Sequence, residues 1–211
     1  GITSLNISLD TLQREKYLML AKRDMFEKVY SNIDLMISKG FHVKVNAVAM
    51  KGINEDELCD FVRWTLKTPV HVRFIEFMPF SGNHWQGKDV LTWHEMLGKI
   101  STVFDIEPLA HEAHDTAKKY RVAGALGTFA FITTMSTPFC GDCNRMRLTA
   151  DGKMKNCLFS KSEIDLLTAF RAGKDIVPLI AKSVWEKKAA LGGQFEADIA
   201  HVDASHIENR S

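Results

Sequence analysis

The sequence predicts an α/β fold, in which strand–helix units form a parallel sheet and a small antiparallel sheet follows. Three segments alternate apolar and polar residues, as strands do, and helical patterns separate them. Beyond residue 90, short strand patterns over 118–123, 127–136, 145–150 and 153–159 follow one another around glycine turns, which favours a small antiparallel sheet that carries the cysteines. We therefore predict two domains, residues 1–90 with the parallel sheet and residues 91–211 with the antiparallel sheet.

The first two strands carry polar side chains on one face. In residues 4–10, Ser8 lies on the polar face, opposite a face of leucine and isoleucine. In residues 41–50, Lys44 lies on the polar face, where a lysine is costly to bury unless it meets a ligand or a partner. Such strands are typical of a half-exposed sheet, or of a barrel whose polar interior faces a ligand.

The third strand, residues 70–79, carries Glu76 and Met78 on the same face as two apolar residues. A carboxylate in so apolar a strand has to be paired or functional, whereas Met78 alone is typical of core packing. We expect the strand faces that carry Ser8, Lys44, Glu76 and Met78 to share one interior surface.

Three helices have the capping-box pattern, a polar N-cap followed three residues later by glutamate. The pairs are Asp24 with Glu27, Asn54 with Glu57, and Thr92 with Glu95. Two further helices are predicted over residues 162–172 and 175–190, the second with Pro178 in its first turn. The polar remainder of the chain to Ser211 is expected to be loosely held.

Residues 138–158 hold three of the four cysteines, Cys140, Cys143 and Cys157, in the pattern C-x2-C-x13-C. Two thiolates three residues apart can reach one metal centre. Asp151-Gly152 lies between two β-prone stretches and predicts a hairpin turn. The hairpin would return Cys157 to the side of the other two cysteines.

The spacing of the cysteines leaves the identity of the metal open. A structural zinc site normally has four protein ligands, and the remaining cysteine, Cys59, lies in a predicted helix where we expect a structural role. Three thiolates and a vacant position suit an iron–sulfur cluster with one iron left for a substrate. Spacing alone favours zinc and a cluster equally.

Two arginines follow the cysteine pair. Arg145 and Arg147 are two residues apart, so on a strand both side chains would point to the same face. Paired guanidinium groups bind phosphate or carboxylate through bidentate hydrogen bonds. Beside an open metal site, they indicate an anionic substrate.

The composition argues against several classes of protein. With 211 residues, 45% of them hydrophobic and 25% charged, the chain is expected to be a soluble globular protein without a membrane span. A net charge of +1, without long runs of lysine or arginine, gives no nucleic-acid footprint. Clustered cysteines indicate free thiolates, and hence an intracellular, reducing compartment.

Five stretches of the sequence occur in an order that is typical of one enzyme family. They are SLNISLD, HVKVNAVAMKGIN, VRFIEFMPF, Trp85 and CGDCNRMRLTADGKMKNCLF. On these stretches the chain, from Ser4 to His206, resembles the GTP 3′,8-cyclases, radical S-adenosylmethionine (SAM) enzymes that begin molybdenum-cofactor biosynthesis. The resemblance implies an incomplete (βα)6 barrel, of which this chain holds only the last strands, and an α+β domain with an iron–sulfur site.

The resemblance also implies a role for the three clustered cysteines. Cys140, Cys143 and Cys157 would be ligands of an auxiliary 4Fe–4S cluster that binds GTP through its open iron. The family reaction abstracts a ribose hydrogen by a radical and joins the sugar to C8 of guanine. Its product is (8S)-3′,8-cyclo-7,8-dihydroguanosine 5′-triphosphate.

Further residues match substrate-binding positions of the family. By resemblance, Arg145 and Arg147 would contact the phosphates of GTP, and Lys44 would be a further GTP contact. Ser8 and Met78 would touch SAM. Catalytic residues beyond these contacts are not implied.

The sequence departs from the family pattern at two points. It has no C-x3-C-x2-C motif for the radical-generating 4Fe–4S cluster, whose ligands would therefore lie outside this chain. It also has no C-terminal Gly-Gly, which the family uses in turnover. We therefore expect the C-terminal two-thirds of an enzyme, unable to cleave SAM alone.

Two other functions stay open at this point, another radical SAM enzyme with an auxiliary cluster and a zinc-stabilised binding module without catalysis. For the cyclase hypothesis, the expected partners are GTP, SAM, and a downstream cyclic pyranopterin monophosphate synthase that acts on the product. A homodimer is a further expectation. The compartment would be the mitochondrial matrix in a eukaryote and the cytoplasm in a bacterium.

Overall fold

The computed structural model describes residues 1–80 and 82–194. Ser81, in the predicted loop after the third strand, and the predicted polar tail beyond Gln194 lie outside the described residues. The chain divides into two compact units between Thr137 and Pro138, while the domain boundary predicted after residue 90 stays a prediction. Within the described ranges, no helix is long and apolar enough to cross a membrane.

Unit 1, residues 1–137, alternates strands and helices through its first half. Its elements are β1 (Ser4–Ser8), α1 (Arg14–Ala21), α2 (Phe26–Ser38), β2 (His42–Ala49), α3 (Leu58–Lys67), β3 (His71–Glu76), α4 (Trp93–Ser101), β4 (Ile106–Pro108), β5 (Ala117–Val122) and β6 (Thr128–Ile132). Short 3₁₀ turns lie at Glu55–Glu57 and Gly87–Asp89.

The strands of unit 1 form one six-stranded sheet in the order β1-β2-β3-β6-β5-β4. β1, β2, β3 and β6 are parallel, whereas β5 and β4 add antiparallel strands at one side. The strands predicted over 118–123 and 127–136 therefore belong to this sheet, and their predicted place beside the cysteine hairpin is wrong. Phe129, Ala130 and Phe131 are fully buried, and such a continuous apolar run suits a central strand covered on both faces.

The apolar core lies under one face of this sheet. The alternation predicted for β2 is confirmed, because Val43, Val45 and Ala47 are buried while the residues between them are half-buried. Helix α3 covers this face, and the ring centroids of Phe61 on α3 and Phe74 on β3 lie 5.9 Å apart in an edge-to-face contact. On the opposite face, β1, β2 and β3 contribute polar side chains, while Ala130 of β6 is buried.

The predicted shared surface for Lys44 and Glu76 is wrong. In the register of β2 and β3, Lys44 pairs with His71, and Ala49 pairs with Glu76. Paired residues of neighbouring strands point to the same face, and alternation along β2 puts Lys44 and Ala49 on opposite faces. Glu76 is therefore on the helix-covered face, where it is fully buried.

One of the three predicted capping boxes is confirmed. The side chain of Thr92 caps α4, and Glu95 completes the box. Asp24 instead forms an ion pair with Arg14, with 2.6 Å between nitrogen and oxygen. The amide of Asn54 donates to two backbone carbonyls of other segments, at 2.6 and 2.8 Å. These two predicted boxes are wrong because partners outside the helix take the side chains.

Unit 2 begins at Pro138 and contains a three-stranded antiparallel sheet. Its elements are β7 (Arg147–Leu148), β8 (Lys153–Lys155), β9 (Ile164–Asp165), α5 (Leu166–Arg171) and α6 (Val177–Trp185), with 3₁₀ turns at Cys140–Asp142 and Leu191–Gly193. β7 and β8 pair around the predicted turn, where Gly152 has a φ of +76°. The hairpin prediction is confirmed, and α6 has the predicted proline in its first turn but ends earlier than predicted.

Candidate metal centre and anion-binding face

The three clustered cysteines lie on the two arms of the unit 2 hairpin. Cys140 opens a 3₁₀ turn, and the N–H of Cys143 donates to its carbonyl oxygen at 3.2 Å. Cys157 follows β8, on the returning arm. All three are half-buried free thiols. The local fold therefore presents three soft metal ligands without a disulfide between them.

The pKa of the Cys140 thiol is shifted by burial, by a backbone N–H group and by the other two cysteines. Burial raises the pKa of Cys140, the backbone N–H of Leu191 lowers it, and the nearby Cys157 and Cys143 raise it again, so the net pKa lies above the usual range. The nitrogen of Leu191 lies 3.4 Å from the sulfur of Cys140. The hydrogen bond from Cys143 to Cys140 and the pairing of β7 with β8 bring the three thiols to the same end of the hairpin.

The thiol of Cys143 is shifted the other way. Burial raises the pKa of Cys143, but the backbone N–H of Arg145 and the ammonium group of Lys187 lower it by more, so the net pKa lies below the usual range. The Nζ atom of Lys187 lies 3.5 Å from the sulfur. The hairpin therefore favours the thiolate of Cys143, which is the form that binds metals.

Within residues 1–80 and 82–194, no group of three or more His, Cys, Asp or Glu side chains, the hairpin cysteines included, is arranged to hold a single metal ion. Cys59 lies on α3 of unit 1, with its sulfur 3.9 Å from the carbonyl oxygen of Lys99. Burial raises the pKa of Cys59. This position on a core-facing helix fits the structural role predicted for it.

The two predicted arginines have different backbone settings. β7 begins at Arg147, so Arg145 precedes the strand, and the argument that places both on one strand face does not apply. The guanidinium carbon of Arg145 lies 5.7 Å from the ring centroid of Phe139. Its backbone carbonyl accepts a hydrogen bond from Lys187 at 3.0 Å. Both arginines are exposed and follow Cys143 closely in sequence, so they add positive charge to the cysteine hairpin.

The polar face of the unit 1 sheet carries a second group of cations. Lys44 pairs with Asn6 of β1 and with His71 of β3, so the three side chains share a face. Arg73 lies on the same face and donates from its guanidinium to the side-chain oxygens of Asn46 and Asn6, at 2.7 and 2.6 Å. The two asparagines orient this guanidinium group. Because both partners are neutral amides, these hydrogen bonds do not neutralise its positive charge.

His71 is the neutral member of this face. Its Nδ1 lies 2.7 Å from the hydroxyl oxygen of Thr128. The pKa of His71 is lowered to about 4, first by burial and then by the positive charges of Arg73, Lys44 and other nearby cations. No function was predicted for His71 or Arg73 from the sequence. The alternation of β3 could have indicated them, because it puts both side chains on the face opposite Val72 and Phe74.

The residues predicted to touch SAM lie at or beyond strand ends. Ser8 ends β1, is exposed, and pairs with Asn46 of β2. Met78 follows the end of β3, is half-buried, and its carbonyl accepts a hydrogen bond from Asn83 at 2.8 Å. The carboxyl ends of parallel strands meet at one edge of a sheet, which is where ligands of open α/β sheets bind.

Glu76 was predicted to be either paired or functional, and the structure shows that its carboxylate is paired. Its carboxylate accepts hydrogen bonds from the backbone N–H groups of Trp93, Met135 and Ser136, at 2.9, 2.7 and 2.8 Å. The hydroxyl of Ser136 donates to it as well. Glu76 thereby joins the start of α4 to the segment after β6, within unit 1.

Comparison with known proteins identifies the family. A family model described as Molybdenum Cofactor Synthesis C matches residues 70–192, and that of the Radical SAM superfamily matches residues 1–65. The chain is 43% identical over 213 residues to the mitochondrial GTP 3′,8-cyclase of Arabidopsis thaliana, covering 98% of this chain and 55% of the relative. It is 41% identical over 201 residues to GTP 3′,8-cyclase of Rhodopirellula baltica, covering 91% of this chain and 56% of the relative.

A third relative is named for molybdenum-cofactor biosynthesis. The chain is 45% identical over 193 residues to Molybdenum cofactor biosynthesis protein 1 of Drosophila melanogaster, covering 89% of this chain and 34% of the relative. The chain thus spans between a third and just over half of the length of these relatives. The resemblance found in the sequence is confirmed. The chain belongs to the Molybdenum Cofactor Synthesis C family, and its first part matches the model of the Radical SAM superfamily.

Proposed function

We propose that this chain is the GTP-binding part of a radical SAM GTP 3′,8-cyclase that acts in molybdenum-cofactor biosynthesis. The names of the relatives support this activity, which is proposed for the whole protein, since the chain matches only part of each relative. The observation that carries the proposal is the unit 2 hairpin, with three free thiols on its two arms and cationic side chains beside them.

Cys140, Cys143 and Cys157 would hold the auxiliary 4Fe–4S cluster. Thiolates select zinc or iron–sulfur clusters, and in a cluster each thiolate binds a different iron, so the sulfurs need not converge on one ion. That suits a hairpin whose three thiols form no single-ion site among the residues described. When bound, the cluster would supply an open iron that holds the purine of GTP. The ligands of the radical-generating cluster are proposed to lie outside this chain.

Arg145, Arg147 and Lys44 would contact GTP. A triphosphate carries several negative charges, and guanidinium groups bind phosphate oxygens through paired hydrogen bonds. Arg73 joins this set, because two asparagines fix it on the same sheet face as Lys44. His71, with its pKa lowered to about 4, would be a neutral member of this face.

Ser8 and Met78 would contact SAM, since they lie where the parallel strands end and ligands of α/β sheets bind. Closure of the sheet into a partial barrel, a homodimer and a downstream synthase as partner stay predictions. The name of the Arabidopsis relative includes the word mitochondrial, which supports the matrix as the compartment for a eukaryotic source.

The experiment that tests this function is anaerobic reconstitution with iron and sulfide, followed by electron paramagnetic resonance with and without GTP. We expect a 4Fe–4S signal that changes when GTP is added. Cys157→Ala should abolish the signal because it removes one of three ligands. Cys59→Ala is the matched control, and it should retain the signal because Cys59 lies on α3 of the other unit.

Other outcomes would contradict the cyclase function. Colourless protein with one tightly bound zinc per chain would instead indicate a zinc-stabilised binding module. A cluster whose signal is indifferent to GTP would indicate another radical SAM enzyme with an auxiliary cluster.

A further inference from the structure

Lys187 places its ammonium group on the segment that carries Cys143. Its Nζ atom lies 2.8 Å from the carbonyl oxygen of Cys143, 3.0 Å from the carbonyl oxygen of Arg145 and 3.5 Å from the sulfur of Cys143. A lysine ammonium has three N–H donors, so these three acceptors account for all of them. Lys187 is half-buried, whereas the next residue, Lys188, is exposed.

The residues that follow Lys187 contact both arms of the same hairpin. The N–H of Leu191 donates to the sulfur of Cys140 at 3.4 Å, and Leu191 is 2% exposed. A Cβ atom at Gly192 would lie 3.0 Å from the backbone nitrogen of Ser160, just after Cys157. Residues 187–194, which we call the covering segment, therefore pack against the hairpin near all three cysteines.

The contacts of Lys187 differ from those of a surface ion pair. A surface lysine normally pairs with a carboxylate in water and contributes little to stability. Here the partners are two backbone carbonyls and a thiol that are held together in one turn. Removing the ammonium would leave the carbonyl oxygens without their donor, and it would remove the positive charge next to a sulfur that is negative when it binds a metal.

We propose that Lys187 is a positioning residue for the auxiliary cluster, which holds the Cys143–Arg145 turn in its ligand-bearing shape and balances the negative charge of its thiolate. This inference rests on the proposed function, because it takes Cys143 as a cluster ligand. Partners that orient metal ligands from outside commonly change metal affinity by a factor of about 10–100 when they are removed. Since one ammonium binds the carbonyls of both Cys143 and Arg145, it also fixes the start of the segment that carries the proposed phosphate contacts.

The test compares Lys187→Met, Lys187→Arg and Lys188→Met with the wild-type chain after anaerobic reconstitution. The readouts are the rate of iron release to a chelator and the midpoint potential of the cluster. For Lys187→Met we expect iron release to accelerate about 10-fold or more. The potential should become more negative, because a nearby positive charge favours the reduced cluster. Lys188→Met should behave like the wild type, since its side chain is exposed.

Lys187→Arg separates the positioning role from general destabilisation, because it keeps the charge and offers N–H donors to the same carbonyls. We expect its potential to stay near that of the wild type. Wild-type release and potential in Lys187→Met would overturn the inference while leaving the proposed function intact. Equal negative shifts in the Lys187→Met and Lys187→Arg potentials would also overturn it, because charge would then have no part. A wild-type chain that takes up no cluster would instead refute the proposed function.

Discussion

The two arginines of the hairpin are proposed phosphate contacts that, contrary to the prediction, do not share one strand. Arg147 starts β7, whereas Arg145 precedes it with its guanidinium over Phe139. The guanidinium groups of both can still bind phosphate, since exposed arginines can reorient at small energetic cost. Their contribution to GTP binding is therefore separable by substitution.

Replacing Arg145 or Arg147 by alanine should weaken GTP binding by about 1.5–3 kcal/mol each, the usual loss for a hydrogen bond to a charged group. Isothermal titration of GTP into the reconstituted chain measures this. Arg171→Ala is the matched control, because Arg171 is an exposed arginine in the last turn of α5. Unchanged GTP affinity in both hairpin variants would contradict their proposed role.

His71 makes the unit 1 sheet sensitive to acid. Its pKa is about 4 in the folded chain, whereas an unperturbed histidine has a pKa of about 6.5. Between these values the unfolded chain binds a proton that the folded chain does not, so stability is fully present above about pH 6.5 and falls as the pH approaches 4.

We expect the wild type to lose about 2 kcal/mol of unfolding free energy through His71 between pH 7 and pH 5. His71→Gln should lose less over this range, because glutamine does not titrate but can still bond to Thr128. Urea unfolding at several pH values gives the difference, in which the carboxylates common to both proteins cancel. Equal slopes for His71→Gln and the wild type would show that His71 is not the acid-sensitive group.

At the scale of elements, the turn of the cysteine hairpin depends on Gly152 and on hydrogen bonds to the start of α5. Gly152 has a φ of +76°, a conformation that favours glycine. Its carbonyl accepts hydrogen bonds from the N–H groups of Leu166 and Leu167, at 3.1 and 3.0 Å. The turn is therefore joined to the start of α5, and a Cβ atom at Gly152 would lie 2.4 Å from the Cβ of Leu167.

Gly152→Ala should destabilise unit 2 more than Gly173→Ala does. Both glycines have positive φ, but a Cβ at Gly173 has no heavy atom within 4 Å among the described residues. The backbone strain is therefore shared, and the difference, about 1–3 kcal/mol, reports the clash with Leu167. Denaturant unfolding of the two variants measures it. If Gly173→Ala were as unstable as Gly152→Ala, backbone strain alone would explain the loss.

The elements also show which sequence patterns are sufficient to predict local structure. The alternation in β2 and the Thr92–Glu95 box were predictable because each depends on residues close in sequence. Asp24 and Asn54 have the same local pattern as Thr92, yet their side chains bind partners elsewhere in the fold. Local rules therefore identify a strand or a helix more reliably than they identify the partner of a polar side chain.

In the candidate site, too, only the features that depend on residues close in sequence were predictable. The three cysteines and their hairpin follow from a spacing and a turn, both readable within 21 residues of sequence. Lys187 was not predictable, because it lies 44 residues beyond Cys143 and nothing in its neighbourhood in sequence marks it. Alternation correctly predicts that Glu76 shares a face with Val72 and Phe74. The expectation that this face is also the Lys44 face was wrong, because the register between β2 and β3 is not readable from either strand alone.

At the scale of the whole molecule, the three cysteines and the covering segment all belong to unit 2, while the six-stranded sheet belongs to unit 1. A ligand that binds only the folded form stabilises the part of the chain that holds it. Amide hydrogen exchange reports such stabilisation segment by segment, because local opening has its own free energy in each cooperative part of a protein.

Loading the wild-type chain with iron and sulfide should therefore slow amide exchange within residues 138–194 and leave β2 and β3 of the unit 1 sheet unchanged. The largest effects are expected in the Cys140–Asp142 turn, in β8 and around Leu191, since these segments carry or contact the proposed ligands. Mass spectrometry of peptides from loaded and stripped protein measures the change. Cys157→Ala is the control that should show no response. Equal protection of β2 on loading would mean that the two units open as one cooperative body, and the effect of the cluster on stability would then extend to the sheet that carries Lys44 and Arg73.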